Sequence, residues 1–312
     1  MKYSLTILLA LVFSVSHAQD KKICITVDDL PTVPSGIDNP EFATEITKGL
    51  INTFDEFDIP AIGYVNEKKL YHNGQLDSSQ VHLLDMWLKN GYELGNHTYS
   101  HSNFHQVSFD DFGQDVLKGE KVTPGLAEKY GSEYKYFRHP YLRMGLRQSH
   151  ADSLKDFLLQ HGYTEAPVTI DNEDYVFALA YHRAYSEGDS LLMEKIGSTY
   201  VDYMEEKLLY FEEQSQKLFD RNIAQTLLTH ANLLNAHYMD DLAEMYLTHG
   251  YEFVSQGEVL NDEAYEHPVS VYGDWGISWI DRWALSRGKR GDFFQGDPAT
   301  PEFIRDIANN SD

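Results

Sequence analysis

The sequence predicts a parallel α/β fold, either closed into a barrel or open and doubly wound. Three observations carry that expectation. A short β-rich run followed by an amphipathic segment recurs seven times along the chain, and such alternation gives parallel strands joined by helical crossovers. No internal repeat is strong enough to suggest a solenoid. No glycine-rich phosphate fingerprint follows the first strand, which weighs against a nucleotide-binding version of the open fold.

The predicted strands are 22–27, 60–65, 92–96, 135–139, 163–170, 223–229 and 251–255, each short, apolar and bounded by turn or polar residues. Helices are expected over 40–57, 78–89, 109–130, 148–161 and 240–249. The crossover between strands five and six, 175–222, is much longer than the rest and places Val201, Met204, Leu208 and Phe211 at helical spacing. It reads as a helical insertion whose apolar stripe packs on the rest of the domain. After the seventh strand, residues 261–312 form a tail in which Trp275, Trp279 and Trp283 fall four apart, which puts the three indoles on one side of a helix. A docking face sealing one end of the domain accounts for this stripe better than a sugar-stacking platform. Arg282, Arg287, Lys289 and Arg290 follow closely and are expected to meet the acidic body of the protein.

Residues 1–18 read as a signal peptide: Lys2 precedes an apolar run from Leu5 to Val15, followed by Ser16-His17-Ala18, a small-x-small cleavage pattern. The run is shorter than the roughly 20 apolar residues that span a bilayer. The chain is therefore expected to be exported, periplasmic or secreted, with no membrane span, as a barrel over 19–260 and a C-terminal extension packed on it. Cys24 is the single cysteine, so no internal disulfide is available and the core must hold the fold. Acidic residues number 49 against 25 basic and are scattered along the chain. That distribution argues against a nucleic-acid partner, which needs basic patches, and favours solubility.

Polar residues that a buried parallel sheet would not otherwise want gather at predicted strand ends. Asp28 and Asp29 close strand one, His97 and His101 follow strand three, and Arg138 to Tyr141 close strand four. Asp171 and Asp174 follow strand five, and His230 follows strand six. In parallel α/β folds the carboxyl ends of the strands share one mouth, where groups distant in sequence converge. Each pattern is weak by itself, since paired aspartates also cap helices and fourteen histidines make a four-residue spacing unremarkable.

Taken in order, these residues resemble the polysaccharide deacetylase family, the NodB-homology or carbohydrate esterase family 4 domain. Thr26-Val27-Asp28-Asp29 resembles its Thr-Phe-Asp-Asp, and His97-Thr98-Tyr99-Ser100-His101 its His-Ser/Thr-x-x-His. Arg138-His139-Pro140-Tyr141 is similar to Arg-x-Pro-Tyr, Asp171-Asn172-Glu173-Asp174-Tyr175 to Asp-x-x-Asp-Trp, and Leu228-Thr229-His230 to Leu-x-His. The chain departs at Val27 for phenylalanine, Leu142 where glycine is usual, and Tyr175 for tryptophan. The resemblance spans about Lys22 to Ser255, omits the tail, and implies a distorted (β/α)7 barrel.

The resemblance also implies one divalent metal held by Asp29, His97 and His101. A carboxylate and two imidazoles suit Zn²⁺ first, with Co²⁺, Fe²⁺ or Mn²⁺ compatible, and a site with open positions lowers the pKa of a bound water to about 7. By the family pattern Asp28 is the general base, with Arg138 holding it ionised and lowering its pKa, and the Tyr141 backbone N–H stabilises the oxyanion. His230 is the general acid, tuned by Asp174, with Asp171 the alternative partner. The implied activity is removal of acetyl groups, N- or O-linked, from an acetylated saccharide. The alternatives are a same-fold hydrolase of a small non-sugar amide and a non-catalytic carbohydrate-binding protein. The sequon Asn96-His97-Thr98 is discounted, because a glycan would block the site. His105, His139 and His150 read as polar rim or core, and Cys24 as packing.

Overall fold

The computed structural model describes residues 21–37 and 39–309, so the expected signal peptide at 1–18 lies outside the described residues. Strands and α-helices run β1 (Lys21–Leu30), α1 (Pro40–Glu56), β2 (Ile62–Val65), β3 (Tyr71–His72), β4 (Gln75–Leu76), α2 (Ser78–Lys89), β5 (Glu93–Asn96), α3 (Phe109–Lys118), α4 (Thr123–Lys129) and β6 (Tyr136–Phe137). They continue with α5 (Gln148–Gln160), β7 (Thr164–Glu165), α6 (Asp174–Glu187), α7 (Ser190–Phe219), β8 (Gln225–His230), α8 (Leu233–Thr248), β9 (Tyr251–Phe253), α9 (Gln256–Val259), α10 (Trp279–Ser286) and α11 (Glu302–Asn309).

Seven strands form one parallel sheet in the order β7-β6-β5-β2-β1-β8, with β9 also paired to β1. These are the seven strands predicted from the sequence; the hairpin β3–β4 is additional. The sheet curls into a half-barrel. Beyond β7 the chain swings back to β8, where Ile170 bridges Leu227 and the amides of Thr169 and Ile170 both donate to the Thr226 carbonyl. The short β7 and this seam together stand where one full fifth strand was expected over 163–170, and they give the distorted (β/α)7 character.

Local sequence explains the elements. β1 is buried along nearly its whole length, as befits a central parallel strand covered on both faces. Its alternation sorts the side chains: Ile23, Ile25 and Val27 join the large core beneath the helices, while Cys24 packs on the other face with Ile62, Tyr64, Tyr136, Ala166 and Val254. Thr26 and Asp28 share the Cys24 face by the two-residue period. α1 starts where Asn39 accepts a hydrogen bond from the Glu41 amide and Pro40 occupies the first turn, both favoured at helix starts.

Three expectations need correction. The helix foreseen over 109–130 is two, α3 and α4. Gly119 caps the first and Pro124 lies in the first turn of the second, and the buried Glu67 carboxylate accepts from the amides of Lys121, Val122 and Thr123 at 3.1, 2.9 and 2.7 Å. A carboxylate from another element thus caps the break. Second, Trp275 precedes α10, whose N-cap is Ser278, so the three indoles do not form one helical stripe; Trp279 and Trp283 are buried. Third, the four basic residues expected to meet the acidic body meet carbonyls and rings instead, and it is Arg305 further along that pairs with Glu173. Arg282 donates to Leu142 O, Arg287 to Leu218 O over the Phe219 ring, and Arg290 to Leu285 O, while Lys289 lies over Phe293. Arg282 alone is buried, and there its guanidinium takes a carbonyl as partner; the other three are exposed and bond to nearby carbonyls or rings.

Trp283 is 1 % exposed and packs edge-on against Phe219 and Tyr265 at 5.7 and 5.6 Å. Trp283→Ala is expected to destabilise the chain by about 3–5 kcal/mol, as for large aromatics removed from a core, read as a lower urea midpoint at constant slope. An unchanged midpoint would show that the tail is a dispensable appendage. Among the described residues no helix is long and apolar enough to cross a membrane.

Candidate active site

Every residue singled out from the sequence lies at or just beyond the carboxyl end of a sheet strand. Asp28 and His230 are register partners on β1 and β8. His97 follows β5 directly and Arg138 follows β6, while Asp174 opens α6 past the Ile170 seam.

Asp29, His97 and His101 offer ligand atoms that all lie within 4.8 Å of one another. Both imidazole Nε2 atoms approach Asp29 Oδ1, His97 at 3.7 Å and His101 at 3.6 Å. That oxygen is buried and has no hydrogen-bond partner. The separations suit ligands of one tetrahedral ion, for which bonds of about 2.0–2.2 Å imply edges of about 3.3–3.6 Å. Protonation fits as well. Burial pushes His97 down to about 4, and burial with the neighbouring His97 does the same to His101, so both rings are neutral at pH 7. His97 Nδ1 lies 2.8 Å from the Arg138 carbonyl, which puts the proton on Nδ1 and leaves the Nε2 lone pair for a cation. Burial raises Asp29, but Lys69 and the histidines outweigh it and hold the carboxyl well below the usual range. The residues present fit a divalent metal.

Asp28 lies beside this cluster, its Oδ2 3.7 Å from His97 Nε2. Arg138, wholly buried, places Nη1 3.8 Å from Asp28 Oδ1, an ion pair too long for a hydrogen bond. Its Nη2 donates to Thr26 Oγ1 at 2.9 Å, and its guanidinium lies over Tyr64. The sequence reading had Arg138 lowering the Asp28 pKa. Burial wins instead: it drives Asp28 up to about 6, with Arg138 and His230 pulling only partly the other way. Desolvation of a carboxyl only 3 % exposed exceeds the attraction of a cation held off at that distance.

Geometry decides the partner of His230. Its Nδ1 lies 2.7 Å from Asp174 Oδ1, and its amide donates to Asp174 Oδ2 at 2.9 Å. Asn235 Nδ2 also donates to Asp174 Oδ2, at 2.8 Å, and Asn235 is held in turn by the Tyr200 hydroxyl. Burial opposes charge on the imidazole, but Asp174 more than compensates and raises His230 to about 9. Asp171 faces elsewhere, lining a cavity with Lys207 and Asp297; burial lifts it to about 6 despite Lys207.

Five of the nine non-glycine residues with positive φ in the described chain sit at this rim: Asp29 (68°), Thr98 (65°), His101 (57°), Tyr141 (57°) and Leu142 (52°). Each such residue costs on the order of 1–3 kcal/mol and persists only where its surroundings over-determine it. The Tyr141 ring is half exposed and lies 4.4 Å from that of His101.

Two residues of the site went unread in the sequence. Lys69 Nζ donates to the Asp29 carbonyl at 2.6 Å, and no motif marks it. Asn235 was within reach, as the third residue after the Asn232 N-cap that follows His230. The other histidines are structural. His105 joins Asp274 and the Gly145 amide, His139 joins Glu165, and His150 lies against Phe104. The buried Asn96 amide is spent on Val116 O and Tyr163 Oη, so the sequon offers no acceptor. Cys24 is buried, and burial raises its thiol pKa.

Comparison with known proteins agrees with this architecture. The polysaccharide deacetylase family model matches residues 16–166, which hold Asp28, Asp29, His97, His101, Arg138 and Tyr141 but not Asp174 or His230. A peptidoglycan-N-acetylglucosamine deacetylase of Bacillus cereus is 39% identical over 51 residues, covering 16% of this chain and 18% of the relative. The match thus spans less than a fifth of that relative's length. Among solved structures, the polysaccharide deacetylase Bc1974 from Bacillus cereus aligns over 82% of this chain and 100% of its own, with a TM-score of 0.52 at 16% identity. The Bc1960 peptidoglycan N-acetylglucosamine deacetylase aligns over 77% of this chain and 88% of its own, at 0.50 and 16%. A mutant of BA3943, a CE4 family pseudoenzyme with restored activity, covers 78% and 69%, at 0.50 and 15%. At these identities the likeness is one of fold. The polysaccharide deacetylase family model thus matches the stretch 16–166 of this chain, and the half-barrel beneath it has the fold of solved polysaccharide deacetylases.

Proposed function

We propose that this chain is a metal-dependent hydrolase that removes N- or O-linked acetyl groups from a carbohydrate. The observation that carries the reading is one rim shared by a three-ligand cluster, a buried carboxylate and an aspartate-held imidazole. A divalent metal held by Asp29, His97 and His101, Zn²⁺ first, supplies Lewis acidity to the acetyl carbonyl and lowers the pKa of a bound water.

The chain's own groups do the rest. Asp28, ionised above about pH 6, takes the proton of the attacking water, with Arg138 beside it to keep the carboxylate aimed. As the carbonyl carbon becomes tetrahedral, the Tyr141 amide donates to its oxygen. His230, charged below about pH 9, gives its proton to the departing nitrogen or oxygen while Asp174 balances the imidazolium. Water and acetylated sugar leave as acetate and a free amine or hydroxyl. A non-catalytic relative would be expected to lack one of these groups, and Asp28, Asp29, His97, His101 and His230 are all present.

Peptidoglycan is the first polymer to test, because the curated Bacillus cereus relative is named for its N-acetylglucosamine. The leader-like residues 1–18 support an exported, periplasmic or secreted enzyme, and a net charge of −24 supports no nucleic-acid partner. Zinc-loaded protein is expected to release acetate from acetylated chitooligosaccharides, xylan or peptidoglycan, to stop after chelation and to resume with added Zn²⁺. Release from a small amide but from no saccharide would move the substrate to the non-sugar alternative. No release from any substrate would overturn the hydrolase.

A further inference from the structure

Residues 273–283 lie outside the family match and have no part in the proposed chemistry, yet they grip the two segments that carry it. Ser278 Oγ donates to Thr169 O at 2.7 Å, and the Trp279 amide to Val168 O at 2.8 Å, on the stretch leading to Asp174. Asp274 pairs with His105 at 3.1 Å and with Arg143 at 3.5 Å, just past the Tyr141–Leu142 turn. Gly276 packs so closely on that turn that a Cβ there would lie 1.8 Å from the Tyr141 carbonyl oxygen. Arg282, fully buried, donates through Nη2 to Leu142 O at 2.7 Å and reaches Trp275 O at 3.4 Å.

Tyr141 and Leu142 both hold positive φ, at 57° and 52°. Neither is glycine, so their own preference opposes the turn. The turn's own bonds, from the Leu142 amide to His139 O and the Arg143 amide to Pro140 O, are backed from the tail by the tight glycine approach and the buried guanidinium. A guanidinium suits the task, because its donors are fixed in one plane and burial makes the loss of an accepting carbonyl costly.

We propose that Arg282 is a positioning residue: with Gly276 it clamps the Tyr141–Leu142 turn in its left-handed shape, so the catalytic rim is completed from the C-terminal tail. The catalytic consequence rests on the function proposed above; the clamp itself does not. Hydrogen–deuterium exchange of full-length protein tests the clamp directly. In Arg282→Met the amides of 139–144 should exchange at least about tenfold faster, while the strand peptides 23–28 and 225–230 stay protected. Arg282→Lys, which can still donate once, should restore most of the protection. Gly276→Ala lies in an exposed loop and should loosen the same turn even if Arg282→Met fails to fold.

In turnover, Arg282→Met should lower kcat by about tenfold or more, the scale of a small misplacement, leaving KM within about twofold and Zn²⁺ binding intact. Unchanged exchange at 139–144 in both Arg282→Met and Gly276→Ala would overturn the clamp. Faster exchange with unaltered kcat would overturn its positioning role. A wild-type protein inactive on every substrate would sink the hydrolase reading, and the exchange experiment would still decide the clamp.

Discussion

His97→Ala is expected to abolish acetate release and to lower Zn²⁺ affinity by more than the about 10–100-fold typical of losing an outer partner of a metal site. The reason lies in how completely the ring is committed. It is buried, its Nδ1–H is fixed on the Arg138 carbonyl, and its Nε2 faces both aspartates at 3.7 Å. Alanine removes one of the three proposed ligands, and water entering the void brings no lone pair fixed in place beside Asp29. The backbone is not at stake, because the His97 carbonyl keeps its bond from Asn66 and its amide keeps Val65. Calorimetric zinc titration beside acetate assays reads both effects. Wild-type zinc affinity together with wild-type turnover would remove His97 from the metal centre.

Asp174→Asn is expected to cut kcat by about 10²–10⁴-fold, the usual value of a general acid, and to reshape its pH dependence. With Asp174 in place His230 titrates at about 9, so the alkaline limb should fall as pH rises through about 9. An amide cannot neutralise the imidazolium, and the limb should retreat toward the ordinary histidine value of about 6.5. Stability follows the same linkage. A histidine whose folded pKa is raised contributes stability that is fully present below about pH 6.5 and lost as pH rises through about 9. The penalty of Asp174→Asn should therefore be largest in mildly acidic buffer and shrink above pH 9, read by thermal unfolding across that range. An alkaline limb that stays near pH 9 in the variant would assign it to another group.

The sequence disclosed the frame of the site better than its energetics. β1 was legible because its buried run ends in two aspartates, and polar residues at the ends of apolar strands have few structural uses. The choice between Asp171 and Asp174 could not be made from spacing. It depends on where the chain leaves the Ile170 seam, which puts Asp174 at the start of α6 against His230 and turns Asp171 toward Lys207. The Asp28 pKa was misjudged because a partner is visible in a sequence and the depth of burial is not. Lys69 stayed hidden, and Arg282 was read only as one of a basic cluster, for a related reason: one cation in a chain with 25 basic residues shows no role until a tertiary contact selects it.

Asp28 and His230 face each other as rungs of the β1–β8 ladder, so the gap between the proposed base and the proposed acid is a property of main-chain register. Side-chain changes elsewhere do little to stretch it, and a slip of β8 by one residue would turn His230 to the far face of the sheet while Asp28 stayed in place. The chemistry is thereby insulated from diversification of the substrate. Loops and tail are free to change around it, and a designer seeking a new acetylated target should alter those and leave the ladder alone.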